Sequence, residues 1–121
     1  MEKKDRKILH LRLGLALLKV LNERKDAAKA NKLEGIKDHR LISSLRKLSA
    51  ASGIDFGTVQ KISKGYQGLE FFTFIDLIEA LDLNIVAFGE YFNSIGDEEI
   101  KRYQVSIHET KKKMKKKGRK K

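Results

Sequence analysis

The stretch Leu45–Lys64, LRKLSAASGIDFGTVQKISK, reads as two short helices joined by a turn built on glycine. Leu48 and Ser52 lie one helical turn apart, and the small Ser49 stands beside Leu48 where a second helix would approach closely. Gly53 can adopt the left-handed conformation that ends a helix, and Ile54 after it offers the apolar contact that accompanies such an end. Asp55 then opens the next helix, because its side-chain oxygen can accept from free amides of the first turn. Val59 and Ile62, three apart, give that second helix a buried stripe. Phe56, Gly57, Gln60, Lys61 and Lys64 are left on its open side.

These residues carry a resemblance. Ser49, Gly53, Ile54, Val59 and Ile62 fall where the Xre-like group, the Cro and lambda-repressor type of helix-turn-helix DNA-binding domain, has its small residue, its turn glycine and three apolar core positions. Downstream, Lys64-Gly65 is similar to the end of the family's recognition helix. FFTFIDLIEALDLNIVAFGEYF (Phe71–Phe92) resembles its fourth and fifth helices, Ile78-Glu79-Ala80-Leu81 above all. Upstream, LGLALLKVLNERK (Leu13–Lys25) resembles its first helix. The resemblance spans Leu13–Phe92 and is interrupted at Asp26–Asp38, a segment longer than the family's usual link.

The resemblance implies an all-α, five-helix lambda-repressor-like domain over residues 1–100, with its helix-turn-helix at 45–64 and a flexible basic tail over 101–121. It also implies a sequence-specific transcriptional regulator that binds double-stranded DNA as a homodimer and inserts its second motif helix into the major groove. In that setting Gln60 pairs with adenine, Lys61 donates to guanine and Phe56 meets a thymine methyl, with Gly57 beside them at the bases. Arg46, Lys47, Lys64, Tyr66 and Gln67 would hold phosphates. Family members often carry polar side chains where Leu45, Phe56 and Gly57 stand, and a proline where Leu69 stands. Fewer hydrogen-bonding groups therefore face the bases, which points to modest discrimination or to reading of DNA shape. Two other roles fit the same resemblance: an antitoxin of a toxin–antitoxin pair, or a protein-interaction adaptor that keeps the fold without base reading. Either would engage a protein partner, the antitoxin through the acidic helices four and five.

Charge is distributed in blocks. Within the net charge of +11, residues 37–68 carry six Lys and Arg against two acids, whereas residues 69–100 carry eight acids and no cation. One face suited to phosphates and another turned away from them would produce this pattern. The last eleven residues, KKKMKKKGRKK, hold nine cations, and self-repulsion is expected to keep them disordered. Such a tail would add salt-sensitive, sequence-independent affinity for DNA.

At 121 residues the chain has room for one domain and one small core, and without cysteine it has neither disulfides nor a thiolate site. No apolar run approaches membrane-spanning length, and MEKKDRK is not followed by a cleavage pattern, so a cytoplasmic protein away from membranes is expected. His10, His39 and His108 stand apart, with no HExxH, and Gly65 and Gly68 lack the sequel of a phosphate loop. The expectation is a non-enzyme with no catalytic residue, metal or cofactor.

Helix one is predicted from near Arg6 or Leu13 to Arg24, with one stripe at Ile8, Leu11, Leu15 and Leu18 and a second at Leu9, Leu13, Leu17 and Leu21. A dimer partner and a deeper core account for the second stripe equally well. Gly14 would cost a helix interior about 1 kcal/mol. Asp26–His39 has no sustained apolar period and reads as a loop or loosely helical link, with helix two starting near Arg40 or Ser43. Helix four has its stripe at Phe71, Phe74, Ile75, Ile78 and Leu81; helix five, capped by Asn84, carries Ile85, Phe88, Tyr91 and Phe92 as core. Leu48, Val59, Ile62, Ile75 and Ile78 are expected to meet in a single core. Tyr103–Ile107 alternates weakly, as a strand would beside a partner edge, and has no assigned element.

Overall fold

The computed structural model describes residues 3–33, 35 and 42–118, and among them every regular element is a helix. There are six: α1 (Lys3–Leu33), α2 (Leu45–Ser52), α3 (Phe56–Ser63), α4 (Phe71–Ala80), α5 (Ile85–Ser94) and α6 (Asp97–Gly118). The all-α expectation holds, and the expected count of five becomes six.

Helix α1 is the spine, and α3, α5 and α6 all pack on it. Its apolar residues encircle the axis from Ile8 to Leu21, so it has two core-forming sides. Leu17, Val20 and Leu21 join Leu48, Val59, Ile62, Leu77 and Leu81 in one cluster. Leu11 and Ala16 join Ile78, Phe88, Ile95 and Ile100 in a second. Leu13, Leu83 and Tyr91 touch both. The single expected core is therefore two clusters bridged by α1, with Ile75 at the margin of the second. Three of the four residues of the second stripe of α1 find cover within their own chain: Leu17 and Leu21 are buried and Leu13 packs against both clusters, whereas Leu9 enters neither.

Gly14 explains how the spine can be approached so closely. A β-carbon placed there would lie 2.5 Å from the Ser63 carbonyl oxygen and 2.9 Å from that of Ile62. The carboxyl end of α3 thus rests on the backbone of α1, an arrangement any side chain at this position would obstruct. The closest helix approach described is thus at Gly14. Ser49 serves the turn, its hydroxyl donating to the Ile54 carbonyl at 2.5 Å.

Two sequence expectations are corrected, the end of helix one and the disordered tail, and one unassigned stretch is placed. The stretch read as a link from Asp26 is helical to Leu33; Ala27, Ala28, Lys29 and Ala30 are strong helix formers, so intrinsic preference carries α1 onward without an apolar stripe. The remainder of that segment, residue 35 apart, lies outside the described residues. Tyr103–Ile107 belongs to α6, where Ile100, Tyr103 and Ile107 fall three and four apart and face the second cluster. The tail expected to be disordered is helical as far as Gly118, and residues 119–121 lie outside the described residues. Asp97, Glu98 and Glu99 in the first turn and lysines toward the end match the helix dipole, and the packed half of α6 supplies the nucleus that an isolated lysine run lacks.

Helices α4 and α5 bury most of their expected stripes: Ile78, Leu81 and Phe88 are buried, and Phe74, Ile75, Tyr91 and Phe92 pack against the second cluster. The first-turn residues depart, Phe71 and Ile85 being 63% and 54% exposed, and Leu77 joins the core in addition. Phe74 and Phe88 meet edge to face at 5.2 Å, and Asn84 caps α5 by accepting from the Ala87 amide at 2.8 Å. Side chains of α1 tie it to α5: Lys19 Nζ donates to Ser94 Oγ at 2.8 Å and the Tyr91 hydroxyl donates to Glu23 Oε2 at 2.6 Å. Arg24 donates to the Leu81 carbonyl that closes α4.

The two interior glycines of α1 and α5 should respond to alanine with opposite sign. Gly14→Ala places a methyl against backbone carbonyls and should cost about 1–3 kcal/mol through overpacking, outweighing the gain in helix preference. At Gly89 an added β-carbon meets nothing within 4 Å. Gly89→Ala should therefore stabilise by about 0.5–1 kcal/mol. Urea melts of both variants check the pair; stabilisation by Gly14→Ala would disprove the crossing.

Candidate nucleic-acid interface

The turn between α2 and α3 is secured by local chemistry at each step. Ser44 opens α2, its side chain accepting from the Lys47 amide at 3.2 Å. Gly53 closes it in the left-handed conformation (φ 74°), donating its amide to the Ser49 carbonyl at 3.0 Å. Asp55 caps α3, its carboxylate accepting from the Thr58 amide at 3.0 Å and the Thr58 hydroxyl at 3.2 Å. Val59, Ile62 and Ser63 are buried, so the outward face of α3 is fixed by packing on the other side.

That face presents Gly57, Gln60, Lys61 and Lys64 as exposed residues, with Phe56 half-buried at its start. The helix ends in a double cap: the Gly65 amide (φ 91°) donates to the Ile62 carbonyl at 3.1 Å, and the Tyr66 amide donates to that of Lys61 at 3.0 Å. The same cap sets the Tyr66 ring, 45% exposed, beside the Lys61 ammonium at 6.0 Å from its centroid. At the other end the Arg46 guanidinium lies 4.3 Å over the Phe56 ring. Two cation–aromatic pairs thus bracket the face, each joining a residue expected at phosphates to one expected at bases.

The remaining expected contacts are distributed around this face. Lys47 is exposed, with Nζ donating to Ser43 Oγ at 3.3 Å. Gln67 is exposed on the turn after α3. A shallow groove of about 210 Å³ separates the end of α3 from the start of α4, lined in part by Lys61, Tyr66 and Glu70. The Glu70 carboxylate gives that groove an anionic edge, which disfavours a phosphate at its α4 side.

Two residues that position the face escaped the sequence reading. Gly14 seats the end of α3, and Tyr103 of α6 donates its hydroxyl to the Ser63 carbonyl at 2.5 Å. Neither carries a local signal, because both act through residues tens of positions away. Burial pushes the Tyr103 phenol above its ordinary value, opposed by its hydrogen bond to Ser63, so the group stays a neutral donor. His10 bonds to the Arg6 carbonyl of its own helix and His108 is exposed on α6, while His39 lies outside the described residues. No described helix is long and apolar enough to cross a membrane. No family model, curated protein or solved structure matches the chain.

Tyr103→Phe should cost about 0.5–1.5 kcal/mol at neutral pH through loss of the Ser63 bond. Because the folded-state pKa is raised, the phenol's contribution is complete below about pH 10 and is lost as the pH rises through the folded value. Tyr91, raised chiefly by its hydrogen bond to Glu23, titrates in the same direction and sustains the remaining alkaline loss. Urea melts from neutral to alkaline pH should therefore give a shallower decline in Tyr103→Phe than in the parent. Identical declines would remove Tyr103 from this role.

Proposed function

We propose that the protein is a sequence-specific DNA-binding regulator of the lambda-repressor-like, Xre-like kind, with α2 and α3 as its helix-turn-helix. The observation that carries this reading is the outward face of α3, where Gln60 and Lys61 stand exposed between the Arg46–Phe56 and Lys61–Tyr66 pairs while Val59 and Ile62 lie buried behind them. With α3 in a major groove, Gln60 and Lys61 read base edges, and Phe56 and Gly57 meet them without hydrogen bonds. Arg46, Lys47, Lys64, Tyr66 and Gln67 flank them at phosphates. Stacking on Phe56 orients the Arg46 guanidinium and leaves its N–H edge available to an anion.

A second reading, in which a protein is also bound as by an antitoxin or an adaptor, draws on a different surface. Phe71 and Phe72, in edge contact at 5.7 Å, are 63% and 77% exposed, and Val86 is 74% exposed, all within the block that has acids and no cation. An apolar surface with an acidic surround suits a partner carrying apolar and basic groups. As the site of homodimerisation, it would instead set the spacing of a two-fold symmetric operator.

Selection of bound sequences from random duplexes, followed by alanine substitution, tests the first reading. Gln60→Ala and Lys61→Ala should each cost about 1–3 kcal/mol on the selected site and flatten preference at one position. Arg46→Ala and Lys47→Ala should weaken all sequences similarly. Equal losses on selected and random DNA for Gln60→Ala and Lys61→Ala would rule out base reading and favour the protein-binding role.

A further inference from the structure

The lysine closing α3 faces a groove to which two distant parts of the chain contribute. Lys7 of α1, Lys64 at the end of α3, and Gln104 and His108 of α6 rim a depression of about 310 Å³ floored by Leu11 and Ile107. All four rim residues can donate hydrogen bonds, and none is a carboxylate. Among the described residues the ion pairs are Arg12–Asp97 and Arg102–Glu98, neither of which includes a rim residue; the Asp97 carboxylate, which lines the adjoining depression with Lys7 and Gln104, is held by Arg12. The carboxyl end of α3, whose free carbonyls would otherwise add negative potential, is already occupied: Ser63 accepts from Tyr103, Ile62 from Gly65, and Lys61 from Tyr66. What remains is a convergence of cationic and neutral donors over an apolar floor, where the lowered dielectric strengthens attraction for an anion.

We propose that this groove is a phosphate-binding site that takes a backbone phosphate of the duplex lying beyond the carboxyl end of α3. The assignment rests on the DNA-binding reading and adds to Lys64 three residues, Lys7, Gln104 and His108, that lie in neither the motif nor the lysine run. Its position supports a backbone phosphate over a free one. Lys64 is shared with the outward face of α3, and α6 continues from His108 as helix through Lys111–Lys113 and Lys115–Lys117 to Gly118. A strand leaving the face of α3 therefore meets the groove first and the lysine-rich end of α6 next.

The test uses the full chain and three variants: Lys7→Ala, the double variant Lys7→Ala/His108→Ala, and Lys25→Ala as a charge control on an exposed part of α1 away from the groove. Affinity is measured against salt on one selected and one random duplex. Amine acetylation of Lys7 and Lys64 is followed in parallel, with duplex or inorganic tripolyphosphate as the protecting ligand. The expected result is equal weakening on both duplexes by the groove variants, with the slope of log affinity against log salt shallower by about 0.9 for each phosphate contact removed. Duplex should protect Lys7 and Lys64 while Lys25 stays reactive, and Lys25→Ala should bind as the parent does. Unchanged slopes with unprotected Lys7 overturn the site, even where Gln60→Ala still abolishes preference and the base-reading role stands. Protection by tripolyphosphate without protection by duplex also overturns it, identifying a small-anion site. Loss of slope in the groove variants with preference indifferent to Gln60→Ala supports the site and sinks base reading instead.

Discussion

Contact between the Ile62–Ser63 carbonyls and Gly14 fixes how α3 lies on α1, and from that crossing the placement of the candidate interface follows. A helix held by side chains alone can shift by repacking them, whereas backbone resting on backbone has little room to adjust. Tyr103 donates to the same Ser63 carbonyl, so α1, α3 and α6 meet within a few residues of one another. The outward face of α3 is then a consequence of what its inner face touches. Val59 and Ile62 enter the cluster around Leu17, and Gln60, Lys61 and Lys64 are left in solvent.

The α2–α3 unit was legible because its determinants are local. Gly53 and Asp55 each act within three or four residues of their own position, and their capping and turn preferences can be read from sequence without knowing what packs above, whereas the cap at Ser44 was not read. The outward and inward faces of α3 followed from the three-residue spacing of Val59 and Ile62 for the same reason. Gly14 misled for the opposite reason. Read locally it weakens a helix, and only the arrival of α3 some fifty residues later shows what the missing side chain admits.

Other departures have equally specific causes. Apolar periodicity is silent where a helix is held by intrinsic preference, as in Ala27–Ala30, or by continuation from a packed segment, as in the lysine-rich end of α6. The stripe assigned to α4 included Phe71 because it lies three residues before Phe74. At the first turn of a short helix, however, the core has already curved away, and Phe71 and Phe72 stand in solvent. Those exposed aromatic side chains, within a block that has acids and no cation, are the surface on which the proposed protein-binding reading rests. The groove between Lys7, Lys64 and His108 was invisible in the sequence, since its members come from three places in the chain forty or more residues apart.

Amide chemical-shift mapping of the full chain against a duplex recovered by selection tests the central claim most directly. The account predicts the largest changes at Gln60, Lys61 and Lys64 and at the start of α2 around Arg46 and Lys47, with α4 and α5 beyond Glu70 unperturbed. Changes confined to Phe71, Phe72, Ile85 and Val86, or none on the face of α3, would contradict it.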